Sequence, residues 1–166
     1  MAVHNTIPSL IQESILEKLL VARYCIDFRK KFDQWNSEGC YGHPAALLLL
    51  SIIDTIGSYE LYGSTRNHFN ILSSKKYFKH PLSNKQIETI YCQYRNPSTH
   101  NSAIGLHVSM NIGTELNDEI LVKENEKETL QLAPLFKITK NAVQIFLKDA
   151  ENIIYQSKQL SDLINL

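Results

Sequence analysis

The segment that most constrains this chain is Ala45 to Ile53, Ala-Ala-Leu-Leu-Leu-Leu-Ser-Ile-Ile, closed by Asp54. It is apolar nearly all round a helix, so it belongs at the centre of a bundle rather than on a surface. It falls well short of the ~20 apolar residues that a membrane span needs. Pro44 stands where a first helical residue belongs and Gly63 follows the apolar run, which predicts a central helix from Pro44 to about Tyr62.

The flanking segments supply partners for that helix. From Pro8 to about Gln34 the residues Leu10, Ile11, Ile15, Leu16, Leu19, Leu20, Ala22, Tyr24, Ile26, Phe28 and Phe32 recur with helical period. Ser9 and Gln12 have capping-box spacing. Ser64 or Thr65 opens a third helix of roughly Arg66 to Phe78, and Pro81 breaks the chain. Ser83 and Gln86 repeat the capping-box spacing before a helix that reaches about Tyr94, and another begins at Pro97. The period then changes. Glu119 to Lys123 and Glu128 to Leu132 flank a polar turn and read as a β-hairpin, with His107 to Ile112 as a candidate third strand. Pro134 opens a long closing helix to about Leu160. The expected fold is mainly α: four to five helices, with a small hairpin before the last long helix. With 166 residues, no internal repeat and no low-complexity linker, residues 1–166 form one domain.

Seventeen basic and seventeen acidic residues leave a formal net charge of zero, which argues against a protein that coats nucleic acid without specificity. The charge is segregated, however. Leu61 to Thr114 carries six Lys/Arg and one acid, Glu88, whereas Glu115 to Glu128 carries six acids and two lysines. That pattern is either ordinary surface variation or a phosphate-attracting middle beside an acidic hairpin. Cys25, Cys40 and Cys92 are odd in number and widely spaced, so a reduced, cytoplasmic setting is expected, with no disulfide framework. No signal peptide is read at the N-terminus. Cys40 and His43 form a C-x2-H with no second pair, so no metal and no cofactor are expected.

Chemistry concentrates at Tyr94-Arg95-Asn96-Pro97-Ser98-Thr99-His100-Asn101. Asn is a favoured N-cap, Pro a favoured first helical residue, and a residue before Pro is pushed out of the helical region. Asn96 is therefore expected to cap a helix whose fourth residue is His100, with Arg95 just outside. Side chains at those two places meet across a first turn. Unpaired N–H groups and the Arg95 guanidinium would then hold a phosphodiester. The helix dipole would keep His100 neutral, able to accept a proton from a ribose 2′-hydroxyl without a metal. Arg95 would stabilise the charge that develops at phosphorus. Asp54, on an apolar helix, needs a partner. It either orients Arg95 or His100, or pairs with another basic group or reaches solvent. His68 and His107 have no evident partner in the sequence. Tyr59, Tyr62, Tyr91 and Tyr94 either stack on bases or pack the bundle.

Arg95-Asn96-(three residues)-His100 resembles the R-x4-6-H motif of HEPN domains, in which a polar residue usually follows the Arg. The order of a long first helix, an apolar second helix with a lone acid, the motif and a long closing helix is similar as well. The resemblance covers most of the chain in architecture and one short motif in residues. It implies an all-α bundle, usually a homodimer. It also implies metal-independent RNA cleavage that leaves a 2′,3′-cyclic phosphate, at a site combining Arg and His from both subunits. Arg95 and His100 would be the catalytic pair, with Asn96 and Asp54 in support. RNA, a second copy and a cognate antitoxin or partner protein are the partners implied, in toxin–antitoxin, phage-defence or RNA-processing settings, without a membrane. Two features depart from the pattern: Ser102 stands where some toxin members carry Tyr, and the hairpin is an addition. Two other readings accompany this one. In the first, a non-catalytic HEPN-like module binds nucleotide, RNA or protein. In the second, a small regulator has no site and Arg95 is consumed by an intramolecular salt bridge.

Overall fold

The computed structural model describes residues 5–31, 39–101, 104–124 and 126–164, and for residues 100, 101, 163 and 164 it describes the backbone alone. The described residues are mainly helical, with one small sheet. Helix α1 (Ile7–Asp27) is capped by Thr6, whose hydroxyl accepts from Ser9 N, with Pro8 in its first turn. The cap thus lies three residues before the Ser9–Gln12 pair expected to supply it. Helix α1 also ends at Asp27, earlier than its periodicity suggests; Gln34 lies outside the described residues. Phe28 takes an extended conformation and stacks on Tyr41, ring centroids 4.5 Å apart. Tyr41 N donates to Cys25 O across the same turn. That pairing sends the chain back antiparallel as helix α2 (Gly42–Leu61).

Helix α2 is the core helix. Ala45, Ala46, Leu49, Leu50, Ile52, Ile53 and Ile56 are all buried. It packs against α1 on one side, and against the elements described next and the closing helices on the others. Among the described residues it is the one helix long and apolar enough to cross a membrane, and here its apolar faces serve as bundle core. Helix α2 ends where Tyr62 and Gly63 both adopt positive φ, 56° and 99°. The short helix α3 (Thr65–His68), capped by Ser64, and a 3₁₀ turn (Phe69–Ser73) follow, in place of one longer helix to Phe78. Gly57 makes this return possible: a Cβ there would overlap the backbone of His68.

Helix α4 (Asn84–Thr89) has the full Ser83–Gln86 capping box. It runs without a break into a π-helical segment (Ile90–Arg95) and then α5 (Asn96–Asn101). The sheet comprises β1 (Val108–Asn111), β2 (Leu121–Glu124) and β3 (Lys127–Gln131), in the order β1-β3-β2. β2 and β3 form the expected hairpin, Leu121 opposite Leu130. β1 joins β3 in parallel, Val108 opposite Glu128. Tyr94 fastens the π segment to this sheet. Its ring is fully buried and its hydroxyl lies 2.9 Å from Ser109 O and 2.8 Å from Glu128 O, one proton facing a carbonyl from each of the two parallel strands. Burial pushes the phenol pKa up.

The closing segment is three helices rather than one. Helix α6 (Leu132–Leu147) starts directly from β3, and Ala133 N, in its first turn, donates to Ile112 O. Asp149 interrupts the backbone at φ −136°, ψ 19° before α7 (Ala150–Gln156). Ser157 then opens α8 (Lys158–Ile164), its hydroxyl accepting from Leu160 N.

Two substitutions test this packing. Gly57→Ala forces α2 and α3 apart and is expected to cost about 1–3 kcal/mol. Tyr94→Phe, which only removes the shared proton, should cost about 1 kcal/mol. Urea denaturation measures both, and a Gly57→Ala protein as stable as wild type would contradict the close approach.

Candidate functional site

The site is built around Asp54. Its carboxylate directly follows the apolar run of α2, on the face that also carries Leu47, Ser51 and Ser58. Asp54 Oδ2 accepts from Arg95 Nη2 at 3.1 Å, and Asp54 Oδ1 lies 2.7 Å from His68 Nδ1. The Asp54 and Arg95 side chains keep 21% and 19% of their exposure and that of His68 only 9%, so the cluster is recessed but reaches the surface. Three chain segments thus converge on one carboxylate.

The position of His68 follows from the turn after α2. Asn67 Nδ2 donates to Tyr62 O at 2.6 Å, and His68 Nε2 faces Gly63 O at 3.1 Å. Both ring nitrogens of His68 therefore meet acceptors, a carbonyl and a carboxylate, and both contacts are hydrogen bonds together only when each nitrogen carries a proton or Asp54 supplies one. A guanidinium and an imidazole bonded to opposite oxygens fix the carboxylate plane, and the carboxylate in turn fixes Arg95.

Arg95 does not stand before a helix start. Asn96 is helical, φ −65° and ψ −50°, and its N–H donates to Tyr91 O, so it does not act as a cap. The helix boundary expected at Pro97 does not form. In the structure the chain accommodates the proline inside a continuous helix. Proline has no N–H and its ring crowds the carbonyl four residues back. The π register widens the helix just before that point, and the carbonyl in question, Gln93 O, accepts instead from Gly105 N at 2.9 Å. The anion-attracting N–H groups expected at Asn96 are thus absent, and charge attraction rests on Arg95 itself. The helical backbone also separates positions 95 and 100 by about 140° around the axis, so they do not share a face as they would across a first turn. The backbone of His100 is helical; its side chain, like Ser102, lies outside the described residues.

The other singled-out residues fall elsewhere. Tyr94 is a packing residue, and Tyr91 meets Phe69 edge-on at 5.6 Å. Cys25, Cys40 and Cys92 are free thiols. Burial pushes Cys25 and Cys40 up in pKa, and the bond to Glu88 does so for Cys92. Among the described residues no group of three His, Cys, Asp or Glu is placed to hold a metal ion. Three of the six basic residues in the middle of the sequence are paired with acids: Arg66 with Glu88, Lys76 with Glu60 and Arg95 with Asp54. A groove of about 940 Å³ between residues 77–80 and α6 is lined by Phe78, Ile138, Ile145 and the lysines 79, 137 and 148, not by the motif. Compared with known proteins, the chain matches no family model, no curated protein and no solved structure.

Asp54→Ala strands a guanidinium and an imidazole together and is expected to lower stability by about 2–4 kcal/mol. The change should appear as a shift in urea midpoint without a change in slope. A loss below about 0.5 kcal/mol, the size of an ordinary surface change, would show that the three groups are not coupled.

Proposed function

We propose that this chain is a HEPN-type domain and a metal-independent endoribonuclease, acting as a homodimer with Arg95 and His100 as its chemistry. The observation that carries the reading is the state of Arg95. The first residue of the R-x4-H motif is held by a carboxylate of the core helix, at a recessed point that still reaches solvent. A guanidinium fixed in this way can receive a phosphodiester without losing the entropy of a free arginine. His68 contributes by anchoring the far oxygen of Asp54.

In this reading His100 takes the proton of a ribose 2′-hydroxyl and the alkoxide attacks the adjacent phosphorus. The 5′-oxygen then leaves with a proton, giving a 2′,3′-cyclic phosphate and a 5′-hydroxyl. Arg95 neutralises charge on the equatorial oxygens. Because helical geometry sets positions 95 and 100 on different faces, the pair that acts together is Arg95 of one protomer with His100 of the other. Three free thiols suit a reducing compartment, the cytoplasm. A second reading, a non-catalytic module that binds nucleotide, RNA or a partner protein, or a small regulator with no site, is favoured by one observation: Asp54 already engages Arg95 in an intramolecular salt bridge.

Labelled single-stranded RNA incubated with the purified chain in EDTA separates the two. Cleavage is expected, with cyclic-phosphate ends. Arg95→Lys and His100→Ala should each reduce it by about 10²–10⁴-fold while unfolding midpoints stay close to wild type. Cleavage by both variants at the wild-type rate, or cleavage lost in EDTA, overturns the enzyme reading.

A further inference from the structure

Helix α6 and the segment 77–80 leave an elongated groove of about 940 Å³ between them. Ile138, Asn141, Ile145 and Lys148 recur at steps of three, four and three, so they share one side of the helix. The opposite wall runs antiparallel to α6. Tyr77 lies by its C-terminal end, where the Asp149 carboxylate acts on the phenol. His80 lies nearer its start: its Nε2 is 3.6 Å from Asp118 Oδ2, and Lys137 holds Asp118 Oδ1. Tyr77 and Phe78 are 2% and 5% exposed, and Ile138 and Ile145 are half-buried, so no apolar side chain of the groove stands proud of the surface. No residue of the Asp54 corner lines it.

The charged groups of the groove are mostly basic. Asp118 is the one acid lining it, and it is already engaged: Lys137 Nζ donates to it at 2.5 Å. That bond pulls the Asp118 pKa down, and the charges of His80 and Lys79 add to the pull. Among the described residues neither Lys79 nor Lys148 forms an ion pair. Three lysines and a histidine thus face a single carboxylate. Tyr77 adds no unmet polar group, because its hydroxyl donates to Glu60. The result is an apolar trough with surplus positive charge at the end where Lys79 and His80 stand.

We infer that this groove is a binding site for a slender amphiphilic anion, an unbranched hydrocarbon chain that ends in a carboxylate or a phosphate. The charged end lies by Lys79 and His80, and the chain lies along Ile138, Phe78 and Ile145. Size supports a small ligand. The volume falls within the several hundred to about 1,000 Å³ of small-molecule sites, and the wall from Lys137 to Lys148 is about 16 Å long. Shape argues against a folded partner, which covers about 800 Å² of surface and anchors on apolar groups that it can reach from outside. Here those groups are recessed beside exposed lysines. A lysine is a point charge on a flexible stem and accepts either head group, so carboxylate and phosphate belong to one class. The inference stands apart from the endoribonuclease reading, since the two sites share no residue.

The test is calorimetric titration of the full chain with octanoate, decanoate and dodecanoate, each below its micelle concentration. One molecule per chain is expected, with affinity rising about fourfold for each methylene added. Dodecyl phosphate is run beside dodecanoate: saturable binding of either supports the site, and the tighter of the two names the head group. Uncharged decanol should bind about fivefold more weakly than decanoate. Lys79→Glu, at an exposed residue, should weaken dodecanoate about tenfold with unchanged far-UV circular dichroism. Lys85→Glu, at an exposed lysine outside the groove, should leave affinity unchanged. Bound ligand should also raise the thermal midpoint. The inference is overturned if neither anion binds saturably, if affinity ignores chain length, or if Lys79→Glu binds as tightly as wild type. A falling thermal midpoint overturns it too, because it marks a surfactant unfolding the chain. So does retention on phosphatidylglycerol vesicles without uptake of free amphiphile, which assigns the lysines to a membrane surface.

Discussion

A single carboxylate organises this molecule. Helix α2 is otherwise a core element, and Asp54 at its surface-facing edge is met there by two nitrogen-bearing side chains. His68 and Arg95 do so from opposite oxygens. The first contact closes the turn that ends α2, and the second ties in the π segment. Packing enforces the same approach. Gly57 lies one turn beyond Asp54 and lets the backbone of His68 come within the distance that the carboxylate requires. Apolar burial supplies the stability of the bundle, but it is indifferent to which polar groups meet. The cluster of Asp54, His68 and Arg95 supplies that choice.

The parts of the fold legible in the sequence were those with local causes. The apolar run from Ala45 predicts a central helix, and the Ser83–Gln86 pair predicts a capping box that is present atom for atom. The alternation on either side of residue 125 predicts a hairpin. Where the sequence misled, long-range contacts outweighed local preference. Helix α1 stops early because Phe28 stacks on Tyr41. The closing helix divides at Asp149 and Ser157, where a cap competes with continued apolar period.

The candidate site shows the same division. Arg95 and Asp54 could be nominated from residue type, and Asp54 does meet a guanidinium. That the second partner is His68 could not be read from spacing, because it depends on positive φ at two successive residues, Tyr62 and Gly63. The larger miss was Pro97. Local statistics favour a helix start after an Asn-Pro pair. The chain instead spends a wider register and a distant N–H to keep the helix whole. This leaves any attraction for an anion to the arginine itself and separates positions 95 and 100 around the axis.

The bond from Gly105 N to Gln93 O ties the chain after α5 back to the π segment that precedes it. A Cβ on Gly105 would meet the end of the Gln93 side chain, which would have to swing aside to admit one. Inserting or deleting a residue within α5 would turn the helical residues after it by about 100° relative to Tyr94, and Tyr94 is pinned between two strands. This tract therefore tolerates exchange of side chains more readily than change of length. A homologue that shares the architecture should keep the count from Gln93 to Gly105 even where its letters differ.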